Sequence, residues 1–235
     1  MQNFAESFRL AFDLLISLDA DLLEIVGLSM QVSLAAMGFA CAIGFPLGAL
    51  VAVTRFPGRG AVIILMNALM GLPPVVVGLV VYLYLSRSGP LGWLGLLYSP
   101  TAMIIAQTIL IAPIVAALSR QVLEDLHGEY DEQFRSLGLT RLQTIITLLQ
   151  DARYSLLTVA LAGFGRAIAE VGAVIIVGGN IDHLTRVMTT AIALETSKGD
   201  LALALALGII LLVIALSVNA CVMGLRMTAR RYAYA

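Results

Sequence analysis

Residues 25–54 read IVGLSMQVSLAAMGFACAIGFPLGALVAVT, thirty positions without one charged side chain. As a helix this run extends about 45 Å, against about 30 Å for the hydrocarbon core of a bilayer. Hydrocarbon offers no water to backbone N–H and C=O groups, so a single spanning segment must be a helix that bonds them internally. Two further charge-free runs, 60–86 and 201–225, are also long enough to cross. A fourth covers 88–119, but Gly89, Pro90, Gly92 and Gly95 predict a loop at its start and leave a span near 100–119. The fifth, 154–178, is apolar apart from Arg166 and Glu170. The chain reads as an all-α integral membrane protein with about five transmembrane helices, organised as one transmembrane domain over 1–235.

Composition agrees with that reading. Of 235 residues, 60% are hydrophobic and 12% charged, where soluble domains carry about 25% charge. A water-soluble globule and a disordered chain are both excluded. The formal net charge is −1, which leaves no basic face to neutralise phosphates and argues against nucleic-acid binding. Thirteen of the 14 basic residues are arginine; the single lysine, Lys198, precedes Gly199. No G-x-x-x-x-G-K-[ST] phosphate loop exists, so the chain binds no nucleotide through a Walker motif of its own. Cys41 and Cys221 lie inside apolar runs and read as small packing residues, with a disulfide the alternative. No C-x-x-C pair or His/Cys cluster points to a metal. The start, Met1-Gln2-Asn3 with Glu6 ahead of Arg9, lacks the basic region of a cleavable signal peptide.

Arginine placement predicts orientation, because basic residues stay on the cytoplasmic side. With the N-terminus outside, Arg55, Arg59, Arg120, Arg135, Arg141, Arg153, Arg226, Arg230 and Arg231 fall inside. Arg9, Arg87, Arg186 and Lys198 fall outside, and Arg166 lies within the membrane. Nine against four favours a cytoplasmic C-terminus. Residues 1–24 differ in kind: Phe4, Phe8, Phe12, Leu14 and Leu15 alternate with Glu6, Arg9 and Asp13, the pattern of an interfacial amphipathic helix, with a mobile tail the alternative. No internal repeat supports an inverted-repeat carrier.

Three spans contain proline. Pro46 and Pro113 read as kinks, whereas Gly71-Leu72-Pro73-Pro74-Val75-Val76-Val77-Gly78 loses two backbone donors in a row. Freed carbonyls at membrane depth are tolerated where they are buried in protein or line a wet cavity, so Pro73, Pro74 and Gly78 are candidates for a gate or pathway wall, with a simple packing kink the alternative. Arg166 and Glu170 are the only ionisable groups within the spans, and at i, i+4 they pair on one helix face. Both a pathway role and a structural staple suit them. A neutralised arginine holds an anion weakly, so recognition falls to another component.

The loop 120–153 holds ten of the 29 charged residues. Its centre runs Glu129-Tyr130-Asp131-Glu132-Gln133-Phe134-Arg135-Ser136-Leu137-Gly138-Leu139-Thr140-Arg141-Leu142-Gln143. The acidic stretch suits the start of a short helix, Gly138 its left-handed end, and Thr140 with Gln143 a capping box that starts a second helix. An ordinary solvated hairpin is the alternative, but it would expose Phe134, Leu137, Leu139 and Leu142 near the corner, which suggests a docking partner. His127, beside Gly128, reads as a solvated loop residue, and His183 as a surface residue rather than a ligand.

Glu132-Gln133-Phe134 followed by Gly138 resembles the cytoplasmic E-A-A-x-x-x-G motif of permease subunits in binding-protein-dependent ABC importers. Gln133-Phe134 stand in place of the two alanines, and the proline expected near Asp151 is missing. Met70–Leu79 is similar to the L-P-P-x-V-x-G element of molybdate, sulfate and tungstate permeases. Gly163-Phe164-Gly165-Arg166-Ala167-Ile168-Ala169-Glu170-Val171-Gly172-Ala173 resembles their G-F-x-R-x-x-x-E-x-G-A element, followed by Gly178-Gly179-Asn180-Ile181. Within that group, Ser86–Gly92 and Thr189–Thr196 are most similar to the tungstate-uptake permeases.

The resemblance implies a homodimer in a prokaryotic inner membrane, two ATPase subunits carrying ATP and Mg, and an external oxyanion-binding protein. It implies that Glu132, Gln133, Phe134, Arg135, Gly138 and Arg141 couple to the ATPase, and that Pro73, Pro74, Gly78, Arg166, Glu170, Gly172 and Asn180 line the pathway. The chain itself is expected to bind no cofactor and to catalyse nothing. The segment Asp182–Asp200 is expected to lie flat at the outer mouth, where Asn180 and the threonines meet the binding protein; a plain interfacial helix is the alternative. Molybdate or sulfate is the alternative cargo, and a self-sufficient secondary anion carrier the alternative class.

Overall fold

In the computed structural model, residues 4–17 and 19–233 are described. The side chains of Arg226, Arg230 and Arg231, which entered the charge argument, lie outside the described ones. Among the described residues ten α-helices follow in order: α1 (Phe4–Ser17), α2 (Ala20–Val53), α3 (Arg59–Leu69), α4 (Pro74–Leu85), α5 (Pro100–Ser136), α6 (Arg141–Asp151), α7 (Arg153–Ile168), α8 (Gly172–Gly178), α9 (Met188–Lys198) and α10 (Leu201–Ala233). No strand occurs among the described residues, so the all-α class holds. Among the described residues three helices are long and apolar enough to cross a membrane, α2, α5 and α10 over Leu201–Cys221; the number rises to five if α3 with α4 and α6 with α7 each count as one broken span.

The chain divides into two compact units. One gathers residues 1–36, 73–107 and 165–218. It contains α4 and α8, packed with unusually close backbones: a Cβ at Gly78 would lie 2.8 Å from Ala173 Cα. The other gathers residues 37–72, 108–164 and 219–235. There Gly44 and Gly48 let the end of α2 press against α5, and a Cβ at Gly48 would lie 2.7 Å from Ala116 O. Ser119 Oγ donates to Gly44 O (3.3 Å) and to Ala116 O (3.1 Å), tying the same contact with polar bonds. Pro46 and Pro113 sit inside α2 and α5 without ending either helix.

Three expectations need correction. The stretch from Glu129 starts no new helix: α5 runs unbroken for 37 residues. Its charged half therefore carries about 25 Å of helix beyond the apolar part, at about 1.5 Å per residue. The span expected over 154–178 stops at Ile168 and resumes as the short α8 at Gly172. No proline breaks it. Instead the Glu170 carboxylate accepts the Ala173 N–H (3.1 Å), an N-terminal cap that competes with continued helix. His127 is no loop residue; it lies on α5 and stacks on Phe134, ring centroids 6.3 Å apart.

Candidate functional site

The first group of candidate residues surrounds the end of α5. Gly138 adopts φ 65°, the left-handed conformation that costs a side chain about 1–3 kcal/mol. Leu139 N–H donates to Phe134 O and Gly138 N–H to Arg135 O, both at 3.1 Å. That pair of bonds is a Schellman motif, and it brings Leu139 back onto Phe134. Thr140 then caps α6: its hydroxyl accepts from Gln143 N (3.4 Å), while its own N–H donates to Gln143 Oε1 (2.8 Å).

Phe134 is not the exposed docking residue its sequence position suggests. It is buried with Ala49, Ala52, Leu123, Leu148, Ala152 and Leu156, and Leu139 packs against the same cluster. The aromatic anchors the corner from within, and Tyr130 meets it edge-on at 5.7 Å. Glu132, Gln133, Arg135, Gly138 and Arg141 are exposed, as are Leu137 and Leu142 at 65% and 67%. Arg135 pairs with Asp131 (2.7 Å). Although the expected proline is absent, α6 and α7 still meet at 72° about Ala152.

The second group lies around α4 and α8. Pro73 is extended (φ −65°, ψ 121°) and Pro74 opens α4, where its missing N–H costs no helical bond. Gly172 sits against Val75, whose Cγ2 would be 3.0 Å from a Cβ there. Glu170 is buried and holds Arg166 Nη1 at 2.5 Å, while Arg166 stays 37% exposed. The charges thus neutralise each other, and the arginine side chain stays partly accessible. Thr189 Oγ1 donates to Glu170 O (2.8 Å), and Gln107 Nε2 donates to Ala167 O (3.1 Å). Sequence reasoning missed Gln107 and gave Thr189 a different role, because their polar work depends on partners 60 and 19 positions away. The void beside Ser33, Gln107 and Glu170 measures about 10 Å³, room for one water and not for a tetrahedral oxyanion.

Beyond α8, Asn180 takes φ 51° and donates through Nδ2 to Thr190 O (3.4 Å). Thr185, Thr189 and Thr190 are buried. These three are therefore unavailable to an external protein, contrary to the sequence expectation, whereas Thr196 of the same segment is exposed. Thr185 instead donates to Gly178 O (2.6 Å) and accepts from Ile181 N (2.9 Å), bracing the α8–α9 connection. Exposed Asp21, Glu24 and His183 bring ligand atoms within 4.8 Å of one another, a set with the chemistry to hold a divalent cation. His183 Nδ1 meets Glu24 Oε2 at 2.9 Å. That hydrogen bond, then the Glu24 charge, raises the imidazole pKa above its ordinary value.

Comparison with known proteins adds a family. Residues 44–225 match the model described as "Binding-protein-dependent transport system inner membrane component". The "Tungstate uptake system permease protein TupB" of Peptoclostridium acidaminophilum is 42% identical over 226 residues, covering 96% of this chain and 99% of the relative. A "Probable anion ABC transporter permease protein" of Haloferax volcanii is 42% identical over 204 residues, 85% of this chain and 88% of that protein. Among solved structures, a chain of a bacterial ABC transporter involved in the import of the acidic polysaccharide alginate aligns with TM-score 0.64. It is 22% identical, over 94% of this chain and 83% of that one, a likeness of fold alone.

Proposed function

We propose that this chain, which belongs to the family of binding-protein-dependent transport system inner membrane components and is a multi-pass ABC transporter permease subunit, forms the pathway for ATP-driven import of tungstate. The observation that carries the cargo is the 42% identity to a tungstate-uptake permease along nearly the whole of both chains. The chain acts as a homodimer in a prokaryotic inner membrane, N-terminus outside, with α1 on the outer interface. Two ATPase subunits bind ATP and Mg and dock on Glu132, Gln133, Arg135, Gly138 and Arg141. Phe134 serves that contact from inside, by fixing the corner. An external binding protein selects the oxyanion, which suits a chain whose intramembrane arginine is already paired.

ATP-driven closure moves the docked corners together, and rigid-body rocking exposes the pathway outward. Pro73, Pro74, Gly78, Gly172 and Asn180, with the paired Arg166 and Glu170, belong to that pathway. A dianion entering against an inside-negative potential costs about 4.6 kcal/mol per 100 mV, so import needs the ATPase. The test is reconstitution of the permease with its ATPase and binding protein, reading ATPase stimulation and uptake for tungstate, molybdate and sulfate. Tungstate should stimulate most strongly, and Glu132→Lys should abolish stimulation while leaving insertion intact. Undiminished stimulation in Glu132→Lys would remove the coupling assignment, and stronger stimulation by molybdate or sulfate would reassign the cargo.

A further inference from the structure

The first turn of α2 and the turn that follows α8 meet at a small cavity of about 70 Å³, inside the unit that gathers residues 1–36, 73–107 and 165–218. Its charged lining is Asp21, Glu24, Asp182 and Arg186, with His183 beside them. Arg186 is held by Asp182 at 2.7 Å. Three carboxylates thus stand against one guanidinium, which leaves the negative charges of Asp21 and Glu24 uncompensated within the lining. The positive end of α2 offsets about half a charge, so the cavity still favours a cation.

The groups that remain suit one kind of ion. Asp21 and Glu24 lie three residues apart, on one face of the first turn of α2. The capping is done by Asp19, whose Oδ1 accepts the N–H groups of Asp21 and Leu22 at 3.1 Å each. His183 comes from a turn that the buried Thr185 braces through Gly178 O and Ile181 N. Its Nδ1 stands 2.9 Å from Glu24 Oε2. Two ligands at right angles on metal bonds of about 2.1 Å stand about 3.0 Å apart, so this pair already has the spacing of neighbouring ligands. The ligand atoms of all three residues lie within 4.8 Å of one another. All three side chains are exposed, so they can turn onto an ion and leave its other positions to water. An imidazole beside carboxylates suits first-row transition ions, whereas calcium and magnesium take oxygen alone. Position 183 shows none of this in the sequence, because Glu24 is 159 residues away.

We propose that Asp21, Glu24 and His183 Nδ1 bind a divalent first-row transition ion, with water completing its coordination. The ion clips the start of α2 to the turn after α8. The site goes beyond the transport reading and stands or falls without it. The test uses the full-length chain, stripped of metal and free of any purification tag, in phosphatidylcholine nanodiscs. The buffer is held at about pH 8, since the ligands bind metal in their deprotonated forms. Zinc chloride and calcium chloride are titrated calorimetrically, and melting is followed with and without zinc. Two variants bear on the site, Glu24→Gln and His183→Gln. These side chains are 48% and 63% exposed, so either variant should keep its fold without metal, which the metal-free melting curve checks.

Zinc should bind the wild type roughly tenfold or more tightly than calcium. Each variant should weaken zinc binding roughly tenfold or more, the loss of one ligand. Each should also shrink the rise in melting temperature that zinc gives the wild type. The proposal is overturned if zinc fails to bind below about 1 mM, if either variant binds it as the wild type does, or if calcium binds as tightly as zinc.

Discussion

A methyl group at Gly48 would lie 2.2 Å from Ser119 Oγ and 2.7 Å from Ala116 O. The hydroxyl can rotate away, but the carbonyl belongs to α5 and cannot, so the helices must part. Gly48→Val should lower the melting temperature in detergent by the equivalent of about 1–3 kcal/mol of overpacking. Gly27→Ala, where nothing lies within 4 Å, should leave it unchanged or raise it slightly. Equal melting of the two variants would mean that the close approach is not what holds this contact. His183 makes a prediction of opposite character. Its folded pKa lies above the ordinary value of 6.5, raised by the bond to Glu24 and then by the charges of Glu24, Asp182 and Asp21. The stabilisation is thus complete below pH 6.5 and is lost as the pH rises through the raised value. Wild-type melting should fall from mildly acid to mildly alkaline buffer by more than that of His183→Gln, and parallel curves would dismiss the contact.

At the scale of elements, the end of α5 rests on two small devices, the left-handed Gly138 and the Thr140 capping box. Thr140→Ala should cost about 1 kcal/mol. Gly138→Val should cost about 1–3 kcal/mol and Gly138→Asn less, since asparagine enters the left-handed region more readily. Chemical denaturation of the three variants orders these costs, and a Gly138→Asn as damaging as Gly138→Val would rule out backbone conformation as the cause. Both devices were legible in the sequence because they use residues three or four apart. The arginine–glutamate pair was legible for the same reason. The burial of Phe134 was not, because it depends on Ala49 and Ala52 from a distant helix. The acidic run at Glu129 misled, since the macrodipole argument fixes where a helix may begin and not whether one is already under way. The interruption at Glu170 was hidden too: a side chain caps the next helix, and no proline or glycine pair announces it.

For the whole molecule, the distribution of charge separates the two classes of transporter. Ten charged residues gather in the loop 120–153, while the spans keep Arg166 and Glu170. These two meet at 2.5 Å with Glu170 buried. A self-sufficient carrier that uses them as an ion relay has to part them in each cycle; a permease driven through an external corner does not. The distinction can be read in proteoliposomes containing the permease, its ATPase and its binding protein, with ATP on the ATPase side. Uptake should continue when an ionophore collapses the gradient, and should quicken where the collapse removes an opposing potential of about 2.3 kcal/mol per charge per 100 mV. It should stop when ATP is replaced by a non-hydrolysable analogue. Uptake that survives the analogue and ends with the ionophore would make Arg166 and Glu170 an ion relay, and the exposed loop a surface without a motor.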